Sequence, residues 1–150
     1  MQEKILLTAV VIIAIAGIVA MFVLLLKRRR YRPLFVDEME GHEFEFYCAD
    51  LLRDRGFSEV EVTSGSRDFG VDILAEKDGV TYAIQCKCYP TPVGVSAVQE
   101  VYAGRDYYDC MVGVVLTNQY FTEPAVDMAK KLQILLWDRG YLESMMEEDV

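Results

Sequence analysis

The arrangement of apolar and polar residues differs between two parts of this chain. Residues 5–26 form one run without a charged side chain. From residue 41 onward, apolar residues recur every three to four positions, as on a helix with one buried face, or cluster in short runs of strand length. The pattern therefore predicts one apolar helix followed by a domain built from both helices and strands.

The patterned region predicts the order helix, three strands, helix, strand, helix, strand, helix. The predicted helices are residues 41–55, a segment capped by Ser96 and ending at Tyr107, a segment capped by Thr122, and residues 139–148. The predicted strands are residues 59–63, the two arms of segment 70–87, residues 110–117 and residues 134–137. A meander followed by crossover helices implies an α/β domain whose mixed central β-sheet has helices on both faces.

Segment 70–87 predicts a β-hairpin, because Asp78-Gly79 favours a tight turn between two apolar runs. Asp72 lies near the start of the first arm. Gln85 and Lys87 lie near the end of the second arm, two positions apart and therefore on one face. Folding the hairpin brings a carboxylate, an amide and an ammonium together. Spacing alone leaves open that these are only solvent-facing polar residues at a strand end.

This combination suits the hydrolysis of a phosphodiester. Carboxylate and amide oxygens are hard ligands of the kind that Mg²⁺ prefers, and the backbone carbonyl of Cys86 could supply one more. A lysine can orient the attacking water or stabilise the charge of the transition state. The hairpin is thus a candidate metal-dependent hydrolytic site.

The apolar run is long enough for a membrane anchor, because a helix over residues 5–26 would cross a hydrocarbon core of roughly 30 Å. A cleaved signal peptide would be shorter and would end in small residues, whereas this run ends in leucines and a basic stretch. The basic residues, Lys27 to Arg30 and Arg32, place the C-terminal part in the cytoplasm by the positive-inside rule. We therefore expect a transmembrane helix at 5–26, a basic juxtamembrane linker at 27–39 and a folded domain at 40–150.

Charge and cysteine usage narrow the possible functions. Residues 33–150 contain nine Lys and Arg against 23 Asp and Glu, a formal balance of −14. This acidity argues against non-specific duplex binding, which normally needs a basic surface. The four cysteines lack Cys-x-x-Cys spacing and are accompanied by one histidine, His42. Reduced thiols in a cytoplasmic domain are therefore favoured over a zinc site.

Several short motifs across residues 40–138 together resemble one family, the Mrr-type restriction endonuclease domain of the PD-(D/E)xK nuclease superfamily. The motifs are Gly41-His-Glu-Phe-Glu45, Leu51-Leu52, Gly56-Phe57, Val60-Glu-Val-Thr63, Asp68-Phe-Gly-Val-Asp72, Ile84-Gln-Cys-Lys87, Val98-Gln-Glu100 and Val115-Leu-Thr-Asn118. The resemblance implies a restriction-endonuclease-like fold with the element order αβββαβαβα, preceded here by one transmembrane helix.

The resemblance also implies roles for individual residues. Asp72 corresponds to the main metal-binding acid, Gln85 to a position that is acidic in most of the superfamily, and Lys87 to the catalytic lysine. Glu45, four residues after Gly41, matches a further metal-binding acid on the first helix, and Glu43 is the reserve choice for this role. Both cannot reach one site, because they lie about 200° apart on a helix.

Gln99 matches a glutamine that could orient phosphate or water, although a surface position is an equal alternative. Asp68 matches the first acid of the loop before the hairpin and is expected to shape that loop. The implied cofactor is Mg²⁺, with Mn²⁺ as a substitute.

The resemblance, together with the anchor, implies a membrane-anchored Mg²⁺-dependent endodeoxyribonuclease at the cytoplasmic face of the cell membrane. Its expected partner is DNA, with incoming foreign DNA as the target, and pairing into a homodimer would allow it to cut both strands. The alternative is a catalytically inactive nuclease-fold module that binds nucleic acid or protein within a membrane complex. The acidic surface and the unusual anchor are the features that favour this alternative.

Overall fold

The computed structural model describes residues 12–22, 35–63 and 69–147. The chain divides into two compact units, Met1–Leu34 and Phe35–Val150. In the first unit, residues 12–22 form helix α1. Among the described residues, no helix has both the length and the apolar character needed to cross a bilayer. The two ends of the predicted span, residues 5–11 and 23–26, lie outside the described residues, as do residues 27–34 of the predicted linker.

The second unit has the element order that the sequence pattern predicts. A short 3-10 helix, Phe35–Glu38, comes first. The helices are α2 (Gly41–Asp54), α3 (Val95–Tyr107), α4 (Glu123–Leu132) and α5 (Arg139–Met146), and the strands are β1 (Ser58–Val62), β2 (Ile73–Lys77), β3 (Val80–Lys87), β4 (Val112–Thr117) and β5 (Ile134–Trp137). The helix–strand order is therefore αβββαβαβα, as expected.

The five strands form one sheet in the order β1-β2-β3-β4-β5. β1, β2 and β3 pair antiparallel, whereas β3, β4 and β5 pair parallel. The mixed sheet predicted from the sequence is thus confirmed. β4 is buried at nearly every position, which agrees with its uninterrupted apolar sequence.

Helices cover both faces of this sheet. Along β3, Gln85 and Lys87 point to one face and Ile84 and Cys86 to the other, because side chains alternate along a strand. On the Gln85 face, α3 and α4 enclose a buried apolar cluster with β4 and β5; its members include Val98, Val101, Val115, Ala125, Ala129 and Ile134. On the Cys86 face, α2 and α5 lie side by side. The sheet is therefore the middle of three layers.

Local sequence signals explain several of the element boundaries. Gly56 ends α2 with a φ of +82°, and the hairpin turn places Asp78 and Gly79 at φ values of +53° and +78°. Both turn residues are therefore left-handed, as in the tight turn that Asp-Gly favours. Thr122 caps α4, since its hydroxyl accepts from the backbone N–H of Ala125.

The predicted start of α3 is wrong. The helix begins at Val95, so its N-cap is Gly94 and not Ser96. The cause is a long-range backbone contact: the N–H of Val93 donates to the carbonyl of Tyr120, and the carbonyl of Val93 accepts from Thr122. These bonds fix the chain just before Gly94, and the helix starts immediately afterwards.

A buried ion pair joins the first and last elements of the second unit. The guanidinium of Arg139, fully buried at the start of α5, donates to both carboxylate oxygens of Asp37 at 2.9 and 3.0 Å. It also donates to the backbone carbonyl of Asn118 at 2.9 Å. The Asn118 side chain donates to Asp37 and accepts from the N–H of Tyr89. One polar network thus ties the 3-10 helix to the ends of β3 and β4 and to α5.

Candidate active site

Asp72 is held rigidly at the junction between the preceding loop and β2. Its Oδ2 accepts from the side-chain Nε2 of Gln85 at 2.8 Å and from the backbone N–H of Cys86 at 2.6 Å. Its own backbone N–H donates to Ile84, and its carbonyl accepts from Thr63. Hydrogen bonds therefore fix both the backbone and the carboxylate of a residue that is 7% exposed. The hairpin brings Asp72 and Gln85 together as the sequence predicts.

Gln85 presents an unsatisfied oxygen. The side chain is 5% exposed, and while its Nε2 donates to Asp72, its Oε1 is buried without a hydrogen-bond partner. An unpaired buried acceptor costs about 1–3 kcal/mol, so such an atom in a native site calls for a partner. An amide oxygen is a suitable ligand for a hard cation.

Lys87, two positions further along β3, forms an ion pair with Glu100 of α3. Its Nζ lies 2.9 Å from Oε2 of Glu100. Burial by itself lowers the pKa of Lys87, but the hydrogen bond and negative charge of Glu100, helped by Tyr89 and Asp72, outweigh burial and raise the pKa above its ordinary value. Lys87 is therefore an ammonium at neutral pH.

These side chains line one cleft of about 390 Å³. Its lining residues are Gly41, Glu45, Gly70, Asp72, Gln85, Cys86, Lys87, Cys88, Tyr89 and Glu100. Glu45 enters from the first turns of α2, where its Oε2 lies 2.8 Å from Nδ1 of His42. Glu43 is exposed and does not line the cleft. The structure thus brings Asp72, Gln85, Lys87 and Glu45 to one place.

On α3 the residue that reaches the cleft is Glu100 and not its neighbour Gln99, which is exposed and is not among the lining residues. Consecutive helix positions are rotated by about 100° from each other. Sequence spacing alone does not say which of two adjacent polar residues a helix presents to a sheet. Asp68 lies outside the described residues.

Two glycines explain how the loop before Asp72 lies so close to α3. A Cβ on Gly70, whose φ is +76°, would be 2.8 Å from backbone atoms of Glu100. A Cβ on Gly104 would be 2.5 Å from the carbonyl oxygen of Phe69 and 2.4 Å from Cγ2 of Val71. No side chain fits at either position. This close contact holds the loop before Asp72 against α3, and both Asp72 and Glu100 line the cleft.

Two thiols that line the cleft, those of Cys86 and Cys88, have pKa values above the ordinary value of a cysteine. The pKa of Cys86 is raised by a hydrogen bond with Cys48, by burial, and by electrostatic interaction with Cys48, Asp72 and Glu45, and burial raises the pKa of Cys88. All four cysteines are free; Cys48 and Cys86 are buried and Cys88 and Cys110 are half-buried. A thiolate ligand is therefore disfavoured here, since metal-binding cysteines are deprotonated.

The donor set suits a hard divalent cation. In the part of the chain that the structure describes, no three His, Cys, Asp or Glu side chains form a ready-made metal cluster. The available oxygens are those of Asp72 and Glu45 and the unpartnered Oε1 of Gln85. Carboxylate and amide oxygens without nitrogen or sulfur ligands favour Mg²⁺ or Mn²⁺ over zinc.

A mixed sheet flanked by helices, with an acid, an amide and a lysine at one end of its hairpin, defines the class of restriction-endonuclease-like folds. Residues 36–146 match the family model Mrr_cat, described as restriction endonuclease. The chain belongs to this family. The nuclease domain that the sequence motifs predict is thereby confirmed.

Solved structures show the same fold. The chain resembles a protein of unknown function, AF1548 (24% identity, TM-score 0.61), over 71% of its own length and 65% of that chain. It resembles the DNA modification-dependent restriction endonuclease AspBHI (20% identity, TM-score 0.54), over 69% of its own length and 30% of that enzyme. It also resembles the MspJI restriction endonuclease, solved in complex with a 27-mer oligonucleotide. The identity is 23% and the TM-score 0.55, and the match covers 69% of this chain and 27% of that enzyme. No curated protein matches the sequence.

Proposed function

We propose that this protein is a metal-dependent endonuclease that hydrolyses DNA phosphodiester bonds. The observation that carries the proposal is the convergence of Asp72, Gln85, Lys87 and Glu45 on one cleft in a chain of the restriction endonuclease family. The unpartnered Oε1 of Gln85 adds support, because a bound Mg²⁺ or Mn²⁺ would satisfy it.

Each residue has a distinct part in this proposal. Asp72, fixed by two donors to one oxygen, would hold the cation together with Gln85 and Glu45. When bound, a divalent cation offsets phosphate charge and makes a nucleophile available from water at neutral pH. Lys87, kept charged by Glu100, stabilises the additional negative charge of the phosphoryl transition state.

Cleavage assays test the proposal directly. Purified full-length protein in detergent is incubated with Mg²⁺, Mn²⁺ or EDTA and with duplex, single-stranded and branched DNA. We expect cleavage that requires the metal and that falls at least about 100-fold in Asp72→Asn and Lys87→Ala, as for loss of a key electrostatic group. Wild-type protein that cuts no substrate faster than these variants would contradict the nuclease function.

A second candidate is a nuclease-fold module that binds nucleic acid or protein without cutting. Two observations favour this candidate. The ammonium of Lys87 already forms an ion pair with Glu100, and residues 33–150 carry a formal charge of −14. The same assays, run beside a gel-shift titration, separate the two functions: a module of this kind retains binding in Asp72→Asn and shows no metal-dependent product with any substrate.

We further propose that residues 5–26 anchor the protein in the cell membrane, with its nuclease domain on the cytoplasmic side, where foreign DNA would be met. The uncharged run and the basic residues that follow it support this topology. Pairing into a homodimer would be favoured by the raised local concentration of anchored copies. Carbonate extraction of membranes tests the anchor: the full chain should stay in the pellet, and release into the supernatant would contradict it.

A further inference from the structure

Helix α4 carries an open groove of about 560 Å³ that is lined by residues of this helix alone. An apolar row recurs every four positions along it: Pro124, Met128 and Leu132. A charged row lies directly beside the apolar one: Glu123, Asp127 and Lys131. Residues four positions apart lie on the same face of a helix, so each row runs along the whole of α4. We term the two rows together the α4 face.

The apolar row is only partly covered by the domain. Met128 and Leu132 pack against the buried cluster below α4 but remain half-buried, and Pro124 is exposed. The buried side of the helix is formed instead by two small residues, Ala125 and Ala129. The larger apolar side chains of α4 therefore border solvent, which leaves apolar surface for a partner.

The lysines at the end of α4 are not used within the chain. In the part of the second unit that the structure describes, the other Lys and Arg residues each make a hydrogen bond or ion pair: Arg53, Arg55, Lys77, Lys87, Arg105 and Arg139. Lys130 and Lys131 make neither with any described residue. Residues 33–150 carry a formal charge of −14, so two copies repel each other in most orientations. Two free cations mark a surface where this repulsion is smallest.

The candidate active site does not account for these two lysines. The cleft lies at the end of the sheet where Lys87 pairs with Thr117. Helix α4 ends just before β5, whose first residue, Ile134, pairs with Gly113 near the other end of β4. The strand from Gly113 to Thr117 spans about 13 Å. A phosphate held in the cleft is therefore out of reach of the ammonium groups at the end of α4.

We propose that the α4 face binds the α4 face of a second copy of this chain, with the two helices antiparallel about a two-fold axis. This inference rests on the homodimer and the anchor proposed above and names the surface that forms the dimer. A two-fold contact uses the same surface on both copies, so each apolar row is covered by the other. The Lys131 end of each helix then lies beside the Glu123 end of the other.

The order of charges along α4 selects this orientation. Glu123 lies in the first turn of the helix, and Lys130 and Lys131 lie in the last. In a parallel pair, acid would meet acid and lysine would meet lysine. In an antiparallel pair, opposite charges meet at both ends, because the symmetry makes every contact twice. The helix is therefore complementary to a second copy of itself in the antiparallel orientation.

The contact is small, which sets where it can form. A helix of ten residues is about 15 Å long. One such pair covers much less than the roughly 800 Å² per partner of a stable interface. A weak contact holds where copies are concentrated, and the proposed anchor would confine them to one membrane. We therefore expect pairing in the membrane and dissociation in dilute detergent.

Energy transfer between labelled copies tests the pairing independently of cleavage. Full-length chains fused to donor and acceptor fluorescent proteins are co-expressed, and energy transfer is followed in intact cells as the acceptor level rises. We expect saturable transfer that unlabelled chain competes away. Met128→Ser should raise the acceptor level needed for half-saturation. Met111→Ser, at an exposed methionine outside the groove, is the matched control and should leave it unchanged.

Charge reversal is the sharper test. Lys131→Glu sets acid against Glu123, and Glu123→Lys sets lysine against Lys131, so each variant alone should pair about 10-fold more weakly than wild type. When donor chains carry one substitution and acceptor chains the other, opposite charges meet again at both ends and pairing should return. A variant that merely unfolds α4 cannot recover in this way. Melting temperatures of the purified variants check the fold.

Three results would overturn the inference: transfer that does not saturate in wild type, wild-type pairing in both charge variants, or failure of the mixed pair to recover. Weaker DNA binding by these variants with unchanged pairing would assign the lysines to nucleic acid and would equally overturn it. The cleavage assay is scored separately. Chains that pair but do not cut keep the α4 interface and lose the nuclease function, and chains that cut but do not pair do the reverse.

Discussion

At the scale of single residues, Gln85 has two roles in the proposed metal site. Its Nε2 orients Asp72, and its Oε1 has no hydrogen-bond partner. We expect Mn²⁺ to raise the melting temperature of the wild-type protein by several degrees. Binding at one hundred times the dissociation constant contributes about 2.7 kcal/mol. Gln85→Leu should lose most of this gain, whereas Gln85→Glu, with a charged ligand, should keep or increase it.

Differential scanning fluorimetry with and without Mn²⁺ measures the effect. Asp127→Asn, a substitution of an exposed acidic residue on α4 that does not line the cleft, serves as the control and should respond to Mn²⁺ like wild type. An undiminished response in Gln85→Leu would show that the cation does not use this oxygen.

Glu100 is expected to act by positioning Lys87. Removing it in Glu100→Ala frees the ammonium to adopt other rotamers, and misplacement of a reacting group by about 1 Å can cost up to about 100-fold in rate. We therefore predict a fall of about 10- to 100-fold in metal-dependent cleavage. Gln99→Ala, on the adjacent position, which does not line the cleft, is the matched control and should cleave normally. Faster cleavage by Glu100→Ala would instead identify the ion pair as inhibitory.

The contrast between these residues shows what sequence can establish about the site. Asp72, Gln85 and Lys87 were predictable because a two-residue turn fixes the register of a hairpin and strand periodicity fixes the faces. Glu100 was not, since the rotation of α3 about its axis depends on contacts made by Gly70 and Gly104, which are distant in sequence from one another. Which residue of α3 lines the cleft could therefore be established only from the structure.

At the scale of elements, the loop before Asp72 and helix α3 behave as one packed unit. Gly104→Ala gains helix propensity of about 1 kcal/mol, but the new methyl group collides with the carbonyl of Phe69 and with Val71. Overpacking of this kind costs about 1–3 kcal/mol. We predict a net loss of stability in urea unfolding and a larger relative loss of DNA cleavage, because Asp72 shifts with its loop.

Gly94→Ala provides the control for this substitution. Nothing lies within 4 Å of a Cβ at Gly94, and its φ is −92°, which suits an L-residue. Because Gly94 is the N-cap of α3, where Ala is less favourable than Gly, the substitution should cost up to about 1 kcal/mol and no more. If Gly104→Ala were as stable and as active as Gly94→Ala, the close contact would not determine the position of the loop.

The element boundaries divide into those set locally and those set at a distance. Gly56, the Asp78-Gly79 turn and the Thr122 cap act through their own backbone preferences, so sequence predicts them. The start of α3 depends on the pairing of Val93 with the chain near Tyr120, more than 20 residues away. Tyr102, directly after the buried Val101 of α3, is 37% exposed, and only the packing of the helix shows how far its buried side extends.

At the scale of the whole molecule, the ion pair between Asp37 and Arg139 joins the first and last elements of the second unit. Sequence does not predict it, because a charged residue is by default exposed and these two are 102 positions apart. We predict that Asp37→Ala destabilises the protein by about 3–5 kcal/mol, since it leaves the guanidinium buried without its main partner. Glu38→Ala, on the exposed neighbouring position, should cost less than about 0.5 kcal/mol.

Chemical unfolding of the two variants measures this difference. The double variant Asp37→Ala/Arg139→Met should recover part of the lost stability, because it removes the uncompensated charge together with its partner. Equal stability of Asp37→Ala and Glu38→Ala would mean that the network is not a main support of the fold.

The same pair has a consequence for biosynthesis. Asp37 is made early and Arg139 late, so a nascent chain holds the carboxylate long before its cation exists. Until Arg139 is made, the 3-10 helix can settle against the ends of β3 and β4 only with the partly buried carboxylate of Asp37 lacking its cation. In the growing polypeptide, the contact between the 3-10 helix and the ends of β3 and β4 should therefore stay unformed and accessible to chaperones and proteases. It should form in one late step, after α5 emerges from the ribosome.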